Sequence, residues 1–117
     1  MMQLDNEKVP ILRRGNLVID LKYHNVIVHG KSVFLQAKEM QLLYLLAEHP
    51  GWVYTKNQIF ESIYDEECSM LADDFLINNR VYCLVRDLRK KLNDNSKHPQ
   101  YIQTIRNIGY KFIVPEE

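Results

Sequence analysis

The hydrophobic period of this chain changes twice, and the two changes bound what it can fold into. Before Ala37 the apolar residues come in short Val/Ile-rich runs, NLVID (16–20), NVIVH (25–29) and SVFL (32–35), separated by Lys-Tyr-His-Asn and Gly30-Lys31. Short runs with turn residues between them predict an antiparallel meander, with a further short strand near Ile11–Arg13. From Ala37 the spacing becomes three and four, through Met40, Leu42, Leu43, Leu46 and Ala47. That is a helix with one apolar face, stopped by His49-Pro50-Gly51. At the other end, YIQTIRNIGYKF (101–112) returns to alternation, with Ile102 before Gln103 and Tyr110 and Phe112 flanking Lys111. Asn107 and Gly109 are the residue types that best accept positive φ, so the chain reverses there. It ends in a hairpin with Arg106 at its tip.

Between these limits, Trp52-Val53-Tyr54 is a short extended piece, with Trp52 and Tyr54 expected to pack between helix and sheet. Thr55 is an N-cap for a second helix over 56–64, with Ile59, Phe60 and Ile63 inward. DEECSMLAD (65–73) has no period and is read as a loop. Asp73 or Asp74 caps a third helix running to Leu92, whose apolar face is Ile77, Val81, Val85, Leu88 and Leu92. Projection at ~100° per residue puts Asn79, Cys83, Arg86, Asp87 and Lys90 on the opposite side. Residues 93–99 form a loop before the hairpin.

The order is strands, three helices, hairpin, an α+β arrangement in one domain of 11–117 behind a flexible segment of 1–10. The first residues lack the apolar stretch of a signal peptide, and no run of eighteen apolar residues occurs, so the cytoplasm is the expected compartment. Cys68 and Cys83 are then read as reduced thiols. The histidines at 24, 29, 49 and 98 share no metal-ligand spacing, and neither a nucleophile elbow nor a phosphate-binding glycine loop is present. Neither an enzyme, a cofactor nor a metal is expected.

Formal net charge is zero, yet the charges are segregated. From Glu61 to Asp74 there are six acidic residues and no basic one. From Arg80 to Lys111 there are eight basic residues against Asp87 and Asp94. An isolated arginine-tipped turn is a solvated surface feature. Directly after a half-basic helix it acquires a second reading, because a helix fits the major groove of DNA while an adjacent β-arm reaches the minor groove and backbone.

Three stretches then resemble one family in order and spacing: LQAKEMQLLYLLAEHPGWVYTKNQIF (35–60), VYCLVRDLRKKL (81–92) and PQYIQTIRNIGYKF (99–112). The chain resembles, over residues 12 to 114, the effector domain of OmpR/PhoB-type response regulators, a winged helix-turn-helix. The resemblance implies an N-terminal antiparallel sheet, three helices and a C-terminal β-hairpin wing. It implies sequence-specific binding of double-stranded DNA in transcription regulation within a two-component system. Helix 74–92 would lie in the major groove and wing 101–113 at the minor groove. Candidate contacts on the helix are Asn79, Arg80, Tyr82, Cys83, Arg86, Asp87, Arg89 and Lys90, with Arg89 and Lys91 flanking the face to serve phosphates or water. On the wing, Thr104 matches a phosphate-contacting position, Arg106 the minor-groove residue and Tyr110 a position beside the backbone. The loop at 65–73, with Asp65, Glu66 and Glu67, matches the segment that meets RNA polymerase in family activators. One such domain offers one half-site, so a tandem dimer on DNA is implied.

Departures from the pattern open a second reading. The wing is Arg106-Asn107-Ile108-Gly109-Tyr110 where the family usually has Arg-Gly-x-Gly-Tyr. Tyr82, Leu84 and Asp87 stand where many members have Asp, His or Arg, and a carboxylate at 87 repels phosphate. The family's receiver domain has no counterpart in these residues. The alternative is a winged-helix module that contacts a protein, RNA polymerase or a second copy, with weak or lost DNA binding.

Overall fold

The alternation of the first runs resolves into a four-stranded antiparallel sheet in sequential order, β1 (Ile11–Arg14), β2 (Leu17–Asp20), β3 (Asn25–Val28) and β4 (Lys31–Val33). The computed structural model describes residues 11–64 and 72–114. The flexible segment expected at 1–10 lies outside them. Leu17 pairs with Val28 and Ile19 with Val26, and all four are buried, so a period of two puts one face of the sheet into the core. β3 and β4 are joined by His29-Gly30, both at positive φ, the geometry of a tight two-residue hairpin. β4 ends earlier than the run 32–35 suggests. Leu35 turns into the core while Phe34 is left 74% exposed.

Helix α1 (Ala37–Glu48) starts with a capping box in which Glu39 accepts from the Gln36 backbone N–H at 2.8 Å. It buries Met40, Leu42, Leu43, Leu46 and Ala47, the expected stripe. From β1, Arg14 Nε donates to the Ala47 carbonyl at 2.9 Å and so satisfies a free acceptor at the helix end. Strand β5 (Val53–Thr55) follows. Helix α2 (Lys56–Ile63) is capped by Thr55, whose hydroxyl accepts from Gln58 N at 3.1 Å while Gln58 Oε1 accepts from Thr55 N at 2.8 Å. Helix α3 (Asp74–Leu92) is capped by Asp73, which accepts from Leu76 N at 2.9 Å. It ends on Asn93 in the left-handed region.

Strands β6 (Ile102–Ile105) and β7 (Gly109–Phe112) form the hairpin, and β5 adds to β7 to give a three-stranded sheet ordered β5-β7-β6. The architecture is the expected one of antiparallel sheet, three helices and C-terminal hairpin. The single core joins all of these parts, with Leu42, Leu43, Ile59, Phe60, Val81, Leu88, Tyr101 and Phe112 at most 1% exposed. Each such side chain contributes roughly 1.5–3 kcal/mol by leaving water.

Leu84, which is outside the stripe read from the sequence, is buried as well, because α3 packs on both α1 and α2 and needs a wider apolar arc than a single stripe. Packing also corrects two expectations. Tyr54 does pack against the core, but Trp52 is 58% exposed and stacks on His49 at 3.9 Å. Lys91 is not a free cation at the margin of the face. Its Nζ lies 2.8 Å from Glu39, a 4% exposed carboxylate, and ties α3 to the start of α1.

Candidate nucleic-acid interface

α3 leaves Asn79, Arg80, Tyr82, Arg86 and Lys90 exposed, with Cys83 and Asp87 half-buried among them. The Asn79–Cys83–Arg86–Lys90 ridge read from the helical projection is therefore present and free of core packing. Asp87 is not an isolated charge. Arg86 Nε donates to its Oδ1 at 3.1 Å, and Nη2 lies 3.1 Å from the same oxygen. This contact raises the Arg86 guanidinium above its ordinary value, the hydrogen bond to Asp87 being the largest cause.

Beside the ridge lies the hairpin. Between them runs a cleft of about 460 Å³ lined by Tyr82, Arg86, Arg89, Lys90, Thr104 and Tyr110, among others. Six of the predicted contact residues from two separate elements thus meet in one place. Arg106 stands apart, exposed at the hairpin tip. Asn107 adopts φ 66° there and the Ile108 N–H donates to the Ile105 carbonyl at 2.9 Å, so the turn keeps its shape with Asn in the usual glycine position.

Arg89 has a different role from its neighbours. Its Nη2 donates to the Ile102 carbonyl at 2.8 Å and to Thr104 Oγ1 at 2.9 Å, and its guanidinium carbon sits 5.9 Å from the Tyr110 ring centre. Arg89 therefore bolts the helix to the wing and fixes the angle between them. Burial is the largest influence on it and pulls its value down, although Asp94, Tyr110 and Tyr82 act in the opposite sense. Its Nε is buried with no partner among the described residues. Tyr110 is only 5% exposed, and it forms the cleft wall rather than a free arm. Burial pushes its phenol up, with Arg89 partly offsetting.

The supporting residues escape a motif-based reading. Asp94, in the loop after α3, accepts from the backbone N–H groups of Gln100 (2.7 Å), Tyr101 (3.2 Å) and Ile102 (3.0 Å) and so sets where β6 begins. Gly109 is needed for space rather than for positive φ. A Cβ there would overlap the Tyr54 carbonyl oxygen and lie 2.8 Å from its carbon. The Gln36-x-x-Glu39 capping pattern was a visible signal for Glu39, but nothing local announces its pairing with Lys91. Asp65, Glu66, Glu67 and Cys68 lie outside the described residues.

A family model described as the transcriptional regulatory protein C-terminal domain matches residues 30–112. The chain belongs to that family. The uncharacterized transcriptional regulatory protein YcbL of Bacillus subtilis (strain 168) is 39% identical over 101 residues, which is 86% of this chain and 42% of that protein. Among solved structures, the RstA DNA-binding domain of Klebsiella pneumoniae, determined in complex with the RstA box, superposes with a TM-score of 0.77 at 29% identity, covering 88% of this chain and 96% of that one. The response regulator DrrB of Thermotoga maritima, an OmpR/PhoB homologue, gives 0.73 at 28% identity over 93% of this chain and 46% of its own. The chain spans less than half the length of the curated relatives it matches.

Proposed function

We propose that this domain binds double-stranded DNA sequence-specifically in transcription regulation, with α3 in the major groove and the β6–β7 hairpin at the minor groove, and without an enzymatic step. The observation that carries the reading is the rigid pairing of the exposed ridge with the hairpin through Arg89. A groove reader needs two probes at a fixed separation, and Arg89 provides that. The RstA domain bound to its DNA box has the same fold, which supports the assignment. Zero net charge is no obstacle, since Arg80, Arg86, Lys90 and Arg106 are exposed on elements that flank the cleft.

Lys90 and Arg80 at the margins would supply phosphate contacts, which give affinity that falls with salt. Asn79, Tyr82, Cys83 and Arg86 occupy the part of α3 that meets base edges, and Arg106 reaches into the minor groove. Thr104 and Tyr110 line the route of the backbone between them. Two copies on repeats about 10–10.5 base pairs apart would double the contact set. RNA polymerase, approached through residues 65–67, is the proposed further partner, and the cytoplasm, where bacterial DNA lies, is the proposed compartment. Selection of bound duplexes from a random-sequence pool, at low and moderate salt, tests the reading. It predicts an enriched motif, and a folded protein that enriches nothing refutes it.

A further inference from the structure

Asp87 is the residue at which this chain departs most from a phosphate-seeking helix, and its geometry gives the departure a use. Residues i and i+1 diverge by ~100° around a helix and do not ordinarily face each other. Here the long Arg86 side chain folds back, and both Nε and Nη2 settle on the single oxygen Oδ1. The pair is open to solvent, the two side chains being 55% and 46% exposed. Its other oxygen, Oδ2, accepts no hydrogen bond among the described residues.

Two consequences follow. The guanidinium cancels the local negative charge, so the carboxylate can approach a phosphate-lined groove without the repulsion an isolated Asp would meet. The free oxygen is then an acceptor with no donor of its own. In the major groove the exposed donors are the amines of cytosine and adenine. Each amine has an acceptor across the pair, thymine O4 beside adenine and guanine O6 beside cytosine. The adenine amine has in addition the N7 acceptor on its own base, which repels a carboxylate, whereas the cytosine amine has no acceptor beside it on its own base edge. The remaining N–H groups of Arg86 match the N7 and O6 acceptors of guanine.

Resting on the DNA-binding reading above, we infer that Asp87 is a specificity-determining residue that reads a cytosine through Oδ2, with Arg86 as its neutralising partner and as the reader of a guanine. The acidic residue is thereby a base reader, and the domain prefers sites that present a C·G pair beneath this part of α3.

The test is duplex selection from a random pool with the full chain and its Asp87→Ala, Asp87→Asn and Arg86→Ala variants, each checked by thermal melting. The wild-type motif should contain a fixed cytosine. Asp87→Ala should erase that one preference, a loss of about 5- to 150-fold in discrimination, while binding to unrelated duplexes holds or rises because a negative charge is gone. Asp87→Asn should move the preference to adenine, which an amide contacts through N6 and N7. Arg86→Ala should lose a guanine at a different position. An Asp87→Ala motif identical to the wild-type one overturns the inference. So does loss of the same single position in the Asp87→Ala and Arg86→Ala variants, because Asp87 would then act only by orienting Arg86. A wild-type protein with no enriched motif refutes the DNA-binding reading itself, and this inference falls with it.

Discussion

Replacing Gly109 by Ala adds one methyl group and should cost the wing its docking. The residue pairs with Thr55 on β5 and with Ile105 on β6. An added Cβ would overlap the Tyr54 carbonyl oxygen and stand 2.8 Å from its carbon and 2.9 Å from Thr55 Cα. All three are backbone atoms, so no rotamer change relieves the clash. Restoring an ordinary carbon contact of about 3.5 Å requires β7 to move from β5 by roughly 0.7 Å or more. Such overpacking costs about 1–3 kcal/mol, and loosening the short β5–β7 ladder adds about 0.5–1.5 kcal/mol per hydrogen bond weakened. A total of about 2–4 kcal/mol corresponds to a fall in Tm of roughly 10–20 °C for a domain near this size. Calorimetry measures the shift, and amide exchange over residues 109–112 should locate it. The cause can be separated from backbone freedom. If positive φ were the reason for glycine, Gly109→Asn would be tolerated. With a steric cause, Asn and Ala are equally damaging, whereas Asn107→Gly, at φ 66°, is neutral or stabilising. A Gly109→Ala protein melting within about 2 °C of wild type would refute the steric argument.

Three further outcomes are expected. Arg89→Ala removes the bonds to Ile102 and Thr104, should cost about 1.5–3 kcal/mol, and should speed exchange of the β6 and β7 amides; Arg89→Lys recovers only part, lacking the planar fork. Arg106→Ala should leave the melting temperature unchanged but weaken duplex binding and reduce the salt slope by about one, as read by titration at several salt concentrations. The phenols of Tyr101 and Tyr110 are raised above the ordinary value of 10 by burial, so the stability tied to their neutral form is complete below pH 10 and lost as pH rises through the folded-state values. Urea midpoints taken from pH 8 to 11 should fall at the alkaline end, and less steeply in Tyr110→Phe.

What a sequence states well is what is decided by near neighbours. The Thr55 cap, and an Asp cap at 73 or 74, were legible because a cap bonds three residues along, and the bonds form at Thr55 and Asp73. The α3 stripe from Ile77 to Leu92 was legible because helical periodicity alone sets which side is apolar. The outer ridge follows from the same periodicity, and so does the expectation that Arg86 and Lys90 are exposed. Residues judged by type alone fared worse. Trp52 is large and aromatic, so burial was expected, but its ring finds a partner in His49 at the surface. Arg89 and Lys91 look like two more solvated bases of a cationic helix, yet each is engaged by a distant segment, β6 and α1 respectively.

The sequence by itself determined the element order, the helix boundaries, the polar face of α3 and the arginine at the hairpin tip, because backbone propensity, capping and hydrophobic period act over a few residues. Only the tertiary structure decided that Leu84 is covered, since two helices rather than one pack on α3. It decided that Gly109 is required by the Tyr54 carbonyl, that Asp94 sets the start of β6, and that Arg89 locks helix and wing into one surface. These are contacts between residues far apart in the chain, whose partners exist only once the core has brought the segments together.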